Sequence, residues 1–154
     1  MGINALNVGN RKKVVVIITK GILIILLVIC SIEDIRKKVV HLPTVFCFSI
    51  VGLLLQYYQR NENIWSILGG MGIGVFVLFL SYITKGGVGN GDGILLITTG
   101  IYLGLKNNLL LFIIAVFGVS VWAFLLVIIK KISYRNEIPF IPFMLSAYMG
   151  MLFI

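Results

Sequence analysis

Residues 14–32 read VVVIITKGILIILLVICSI, a run of 19 residues in which Lys20 alone carries a charge. An α-helix needs about 20 predominantly apolar residues to cross the hydrocarbon core of a bilayer. The run is long for the apolar part of a signal peptide and has no clear small-x-small cleavage site. It therefore predicts a first membrane helix that is retained.

Similar apolar segments continue to the end of the chain. The sequence of 154 residues is 60% hydrophobic, and its mean hydropathy is +1.11. The predicted fold is an all-α, polytopic bundle of about six transmembrane helices in one integral-membrane domain, residues 1–154, with a short polar N-terminal segment, residues 1–13. This length leaves no room for a separate soluble catalytic domain. The six segments are residues 14–32, 42–58, 64–84, 92–105, 108–129 and 138–154.

Basic residues give the chain a net charge of +8, which raises the question of a nucleic-acid partner. The Lys and Arg residues lie mostly in short clusters beside the apolar runs, such as residues 11–13, 36–38 and 130–131. Clusters so placed are typical of topology anchors at a membrane surface, so we expect a lipid bilayer as the partner and no nucleic acid. Connections one, three and five carry seven basic residues against five on the other face, which by a narrow margin predicts that they face the cytoplasm.

The residues that usually bind metals are scarce. Cys30 and Cys47 lie in apolar surroundings without Cys-x-x-Cys spacing, and His41 is the single histidine. We interpret both cysteines as small apolar packing residues and His41 as a polar residue at the membrane interface. The sequence predicts no metal site and no cofactor.

Two aspartates occur, and each lies where an apolar segment meets a short polar stretch. Asp34 is within Ser-Ile-Glu-Asp-Ile-Arg, and Asp92 ends Gly-Gly-Val-Gly-Asn-Gly-Asp. An acid beside a bilayer core is costly to hold, by roughly 2.5 to 3.5 kcal/mol at a helix centre, and is a functional candidate for that reason. Two crossings separate the aspartates, so both lie on the same membrane face and are able to meet.

Two carboxylates held close together do not both ionise easily, so one acts as a general base while the other keeps a proton and acts as a general acid. In an aspartic protease the first activates water for attack on a peptide carbonyl, and the second stabilises the oxygen of the intermediate. No serine or cysteine nucleophile is required. Asp34 and Asp92 are therefore the predicted catalytic pair.

The glycines before Asp92 add to this interpretation. Gly87, Gly89 and Gly91 lack a Cβ, which permits unusual dihedrals and close approach of an extended substrate strand. Segment four spans only about 21 Å as a helix, against a bilayer core of about 30 Å. Irregular backbone at membrane depth is tolerated where it is buried in protein or lines a polar cavity, so we expect such a cavity near Asp92.

These motifs together resemble the type IV prepilin peptidases and the archaeal preflagellin peptidases. The stretch from Asp34 to Leu42-Pro43 is similar to the family's first catalytic aspartate and its entry into the second helix. Gly89-Asn90-Gly91-Asp92 is similar to its Gly-x-Gly-Asp motif, and residues 138–143, Ile-Pro-Phe-Ile-Pro-Phe, resemble its late Pro-Phe-Gly-Pro segment with Pro139 and Pro142. The three matches occur in the family's order and cover essentially the whole chain.

The chain departs from the family pattern at three positions. Ile94 stands where Lys is frequent, Ile141 where Gly is usual, and Thr44 where Asn is common. It also lacks the four-cysteine zinc motif associated with N-methylation in longer bacterial members, so it resembles a short form with peptidase activity alone. The resemblance implies cleavage of the N-terminal leader of a type IV prepilin-like precursor, at the cytoplasmic face of the inner or cytoplasmic membrane.

Several alternatives accompany these predictions. Asp34 is also able to form an exposed ion pair with Arg36, Lys37 or Lys38, and Asp92 to act as a helix N-cap. Glu33 is a competitor for Asp34, but it points about 100° away on a helix. At the level of the whole protein, the alternatives are a small cation or proton carrier that uses the same acids, and a structural membrane subunit. The sequence makes no prediction of oligomeric state.

Overall fold

The computed structural model describes residues 2–37, 40–59, 63–85, 89–129 and 138–153, and in these ranges the regular elements are all α-helices. There are five: α1 (Gly2–Lys37), α2 (Leu42–Gln59), α3 (Ile64–Ile83), α4 (Asn90–Ile128) and α5 (Ile141–Leu152). α1 packs against α5 and α2, whereas α4 contacts the other four helices.

One face of α1 is buried, and Asp34 continues it. Leu23, Leu26, Leu27 and Cys30 are all at most 1% exposed, and Asp34 follows at 9%. Their spacing of three, one, three and four residues keeps all five on one side of a helix with 3.6 residues per turn. The apolar stripe thus points the carboxylate of Asp34 into the bundle.

Glycines allow α3 and α4 to approach until their backbones touch. A Cβ on Gly74 would lie 2.6 Å from the carbonyl oxygen of Gly93, and a Cβ on Gly70 would lie 2.8 Å from that of Gly100. Small residues one turn apart permit this close packing between membrane helices. The interface fixes the start of α4, which carries Asp92, against the end of α3.

α4 is interrupted at Gly104, where the chain folds back. Gly104 has φ 69° and ψ −176°, a left-handed conformation that favours glycine. Beyond it, Nδ2 of Asn108 donates a hydrogen bond of 3.0 Å to the carbonyl oxygen of Leu96. In a straight helix these two residues would be about 18 Å apart along the axis, so α4 consists of two arms that lie side by side.

Side chains from other helices satisfy the backbone groups near this turn. Nε2 of Gln56 donates to the carbonyl oxygens of Ile101 and Tyr102, at 3.0 and 3.2 Å. The backbone N–H of Leu105 donates to Oγ of Ser66 at 3.3 Å. Because backbone groups left without partners are costly away from water, these contacts from α2 and α3 stabilise the turn.

The outer surface is strongly apolar, as the bilayer prediction requires. Phe76, Phe79, Phe117 and Phe124 are each more than half exposed. Three helical stretches, Lys13–Arg36, Ile64–Ile83 and Asn90–Ile128, are long and apolar enough to cross a membrane, and Leu42–Tyr58 and Ile141–Leu152 are shorter apolar helices. The all-α membrane class is thus supported, whereas the count of about six transmembrane helices is not confirmed.

Some local predictions differ from the structure. α1 extends well beyond residues 14–32 at both ends, so the polar residues from Gly2 to 13 are helical, and α5 is shorter than residues 138–154. Cys30 is buried, as expected of a packing residue, whereas Cys47 is exposed, so its interpretation as a packing residue is not supported. Cys47 lies on the face of α2 that turns away from the bundle.

Candidate active site

Asp34 is held by the beginning of α5. Its Oδ2 accepts a buried hydrogen bond of 3.1 Å from the backbone N–H of Ile141, which is the first residue of that helix. The first N–H groups of a helix have no partner within it and favour an oxygen with negative charge. This arrangement, together with the burial of Asp34, differs from the exposed ion pair considered as an alternative.

Prolines shape the helix start that meets Asp34. Pro142 occupies the second helical position and has no N–H, while the N–H of Phe143 donates to the carbonyl oxygen of Phe140 at 3.0 Å. Ile141 therefore supplies a backbone N–H at this point, and this N–H donates to Asp34. Pro139 lies just before the helix, so both prolines are located at its start.

Asp92 lies in the first turn of α4. Gly89 occupies the N-cap position of this helix, and the N–H of Asp92 donates to the carbonyl oxygen of Gly89 at 3.1 Å. Asp92 is thus the third helical residue, and the alternative that it is the helix N-cap does not hold, because Gly89 takes that position. Its side chain is partly exposed, in contrast to the buried Asp34.

Gly89 leaves room for the Asp92 carboxylate. A Cβ on Gly89 would lie 2.6 Å from Oδ2 of Asp92, closer than real contacts allow. The backbone of Gly89, with φ −61° and ψ 122°, is one that any residue adopts, so space and not an unusual dihedral accounts for this glycine. A Cβ on Gly91 would similarly meet Cγ2 of Val40 at 2.6 Å.

The two aspartates lie within electrostatic range of each other, although 57 residues separate them in the sequence. The charge of Asp34 acts on the carboxylate of Asp92, so the end of α1 and the start of α4 lie at the same end of the bundle. The start of α5 joins them through Ile141. Two acids whose charges interact, one buried and one partly exposed, are the kind of groups that general acid–base chemistry on water requires.

Sequence reasoning missed the bond that anchors the start of α4. Oγ of Ser81 donates a hydrogen bond of 2.7 Å to Oδ1 of Asn90, two residues before Asp92. Ser81 is 1% exposed and extends the buried face of α3. A serine at the end of an apolar helix and an asparagine within a Gly-rich motif were the available signals.

Glu33 points elsewhere, as its position on the helix predicts. Its Oε2 accepts a bond of 3.4 Å from the backbone N–H of His41, near the start of α2. His41 itself is exposed. Glu33 thus connects the ends of α1 and α2, while Asp34, one residue on, faces α5.

The remaining predicted site residues fall in different places. Pro43 lies exposed in the first turn of α2. Gly87 lies outside the described residues. Within the described parts of the chain, no three His, Cys, Asp or Glu side chains form a group suited to a metal ion.

A region that includes both aspartates matches a known protein family. The model of the type IV leader peptidase family matches residues 21–124, which include the end of α1, the Gly-rich motif and Asp92. No curated protein and no solved structure matches the chain significantly. The matched region covers about two thirds of the sequence, so the chain belongs to the type IV leader peptidase family.

Proposed function

We propose that the protein is a membrane aspartic endopeptidase that removes the N-terminal leader of type IV prepilin-like precursors. The observation that carries the proposal is that Asp34, bonded to the start of α5, lies near enough to Asp92 for their charges to interact. Membership of the family supports a peptidase of the leader-cleaving kind. It lends no support to a cation or proton carrier.

In the proposed reaction, one carboxylate accepts a proton from water while the water oxygen attacks the scissile carbonyl carbon. The other aspartic acid donates a hydrogen bond to the carbonyl oxygen as negative charge develops there. Collapse of the tetrahedral intermediate breaks the C–N bond, and a proton passes to the departing amine. The Ile141 N–H keeps Asp34 in position throughout, because it binds the oxygen Oδ2.

The substrate approaches along the glycine side of Asp92. Gly89 presents no side chain toward the Asp92 carboxylate, and Gly89 is itself exposed. An extended leader is therefore able to bring its peptide backbone against this acid. A prepilin-like precursor has its cleavage site just before an apolar helix, and such a helix fits beside the apolar outer surface of the bundle in the bilayer.

The decisive experiment is cleavage of a co-expressed type IV prepilin, scored by the smaller product on a gel. Asp34→Asn and Asp92→Asn should each lower the cleavage rate by at least about 10³-fold, because the acid–base pair is lost. Glu33→Gln is the matched control, since it removes a neighbouring carboxylate that faces away from Ile141. It should cleave at close to the wild-type rate.

All four proteins must reach the same level in the membrane for the comparison to hold. Undiminished cleavage by either Asp variant would contradict the two-aspartate mechanism. Equal loss in Glu33→Gln would also contradict it, because the effect would then reflect charge at this end and not a specific pair.

The same proposal includes a topology of about six crossings with the aspartates at the cytoplasmic face. Its support is the reversal at Gly104, which divides α4 into two arms, and the seven-to-five distribution of basic residues. In a Cys47→Ser background, single cysteines in place of the exposed Lys85 and Lys106 should react with impermeant maleimide from opposite sides. Labelling of Lys85→Cys from outside intact cells would show that the orientation is the opposite of the one proposed.

A further inference from the structure

The two aspartates are carried by helices that touch each other very little. Asp34 lies near the end of α1 and Asp92 at the start of α4, and among the helix pairs in contact in the described residues, α1 and α4 form the smallest interface. Other groups must therefore keep the end of α1 and the start of α4 at a fixed distance. One such group lies in the connection between α1 and α2.

Val40 lies in that connection and packs against the start of α4. A Cβ on Gly91 would lie 2.6 Å from Cγ2 of Val40, 3.0 Å from its Cβ and 3.8 Å from its backbone nitrogen. Val40 is half-buried and packs against the hydrophobic core. Because Gly91 directly precedes Asp92, the side chain of Val40 rests against the backbone that carries this acid.

The position of Val40 is restricted from both sides of the connection. It follows the end of α1 closely, and α2 begins two residues later, at Leu42. α2 is bonded in turn to α4, since Oγ of Ser49 and Oγ1 of Thr98 share a hydrogen bond of 2.8 Å. The side chain of Val40 is β-branched and therefore stiff about χ1. It does not turn aside easily, so it separates the end of α1 from the start of α4 by a fixed amount.

The two glycines before Asp92 thus have different neighbours. The atoms nearest a Cβ on Gly89 belong to the Asp92 carboxylate, whereas the atoms nearest a Cβ on Gly91 all belong to Val40. A side chain at position 91 would therefore have to move either Val40 or the first turn of α4. Either movement changes where Asp92 lies relative to Asp34.

We propose that Val40 is a positioning residue that sets the distance between Asp34 and Asp92. Its side chain, packed against Gly91, holds the first turn of α4 where the two acids act on the same water. This role rests on the proposed peptidase activity, which requires both acids at once. A displacement of about 1 Å in a reacting geometry lowers a rate by up to about 10²-fold, so the contact acts on kcat.

Prepilin cleavage in detergent tests this role, with kcat and KM measured separately. Gly91→Ala should lower kcat by about 10²-fold, because its methyl group pushes against Val40. Val40→Ala should lower kcat by about fivefold and leave KM near the wild-type value. The double variant Gly91→Ala/Val40→Ala should regain about tenfold in kcat over Gly91→Ala, since the new methyl group occupies space that the valine methyl groups leave.

Val51→Ala is the matched control, because Val51 is 39% exposed on α2 and is not among the atoms nearest a Cβ on Gly91. Combined with Gly91→Ala, it should restore no activity. Equal recovery with Val51→Ala, or no recovery with Val40→Ala, would overturn the proposal. A higher KM at unchanged kcat in Val40→Ala would also overturn it, because Val40 would then contact the substrate and not position Asp92.

A second measurement does not depend on cleavage. The chain has two aspartates, so protein labelled with ¹³C at the aspartate carboxyl carbon gives two side-chain NMR signals, and Asp34→Asn removes one of them. The change that Asp34→Asn causes in the titration midpoint of Asp92 measures the interaction of the two charges. In the Gly91→Ala background this change should fall to about half or less, and Val40→Ala should restore it.

An equal change in the wild-type, Gly91→Ala and double-variant backgrounds would overturn the role of Val40, whether or not the protein cleaves a prepilin. The expected pattern in a wild-type protein that cleaves no prepilin would support the role of Val40 and would contradict only the proposed function. The two failures are therefore distinguishable.

Discussion

The two ends of the bundle use polar residues in different ways. At the Gly104 end, the part of the bundle around the turn of α4 at Gly104, Asn108 is fully buried and makes hydrogen bonds to Gly70, Leu96 and Thr99. At the aspartate end, formed by Asp34, Asp92 and the start of α5, one acid is buried and the other remains partly exposed. Polar groups at the first end are bonded mainly to the protein, whereas Asp92 at the second remains partly exposed.

This difference separates groups that hold the fold from groups that are available for chemistry. A network whose members are satisfied makes a turn rigid, since each bond is strengthened in apolar surroundings. A reactive carboxylate must instead keep an accessible oxygen. Changes at the packed interfaces should therefore alter the free energy of unfolding most, while changes beside Asp92 should alter mainly the rate of cleavage.

The largest effect on stability is expected at the α3–α4 interface that supports both ends. Gly74→Ala places a methyl group against the backbone at Gly93, which should lower the free energy of unfolding by about 3 kcal/mol. Gly72→Ala is the control, because nothing lies within 4 Å of its Cβ. Reversible unfolding in mixed micelles measures both, and equal stability of the two variants would contradict backbone contact between these helices.

Asn108→Leu should have the next largest effect on the free energy of unfolding, and it acts on the Gly104 end alone. The bonds to Gly70, Leu96 and Thr99 are lost, at a net cost of about 2 kcal/mol in the free energy of unfolding. The neighbouring Asn107→Leu replaces an exposed amide and should change stability little. Prepilin cleavage measured below the unfolding midpoint should stay near wild type, since the bonds of this network involve neither aspartate.

Much of the fold could be predicted because apolar segments are directly visible in sequence. The predicted boundary between segments four and five, after residue 105, lies one residue beyond the break at Gly104. That the two arms fold back depends on the distant bond from Asn108, which no local pattern reveals. The start of α1 was misplaced because polar residues before an apolar run give no periodic signal for a helix.

The site was predictable only in its charged members. Asp34 and Asp92 are conspicuous because acids are rare at the ends of apolar segments. The donor on Asp34 is a backbone N–H, which every residue except proline possesses, so Ile141 carries no signature of its role. From the sequence, Gly89 was expected to provide freedom in its backbone dihedrals. Its observed role, leaving space for the Asp92 carboxylate, depends on a contact that exists only in the folded chain.

Gly89→Ala tests the difference between the two ends of the bundle, because it acts beside the partly exposed Asp92. Its methyl group would displace the Asp92 carboxylate, and a small displacement of a catalytic group should lower kcat by about tenfold. Stability should fall by no more than about 1 kcal/mol, from the poorer N-cap. Gly150→Ala, whose Cβ meets nothing within 4 Å, is the control. Unchanged kcat in the folded Gly89→Ala variant would show that this space is not needed.

Ser81→Ala should give the smallest effect, because it acts on Asp92 through another residue. Loss of the bond to Asn90 removes about 1 kcal/mol of stability and loosens the first turn of α4, which should lower kcat about threefold. Ser120→Ala is the matched control, since the exposed Ser120 hydroxyl bonds only within its own helix, to Val116. A larger fall in kcat than in Gly89→Ala would make the Ser81 anchor, and not the space beside the carboxylate, the main determinant of where Asp92 lies.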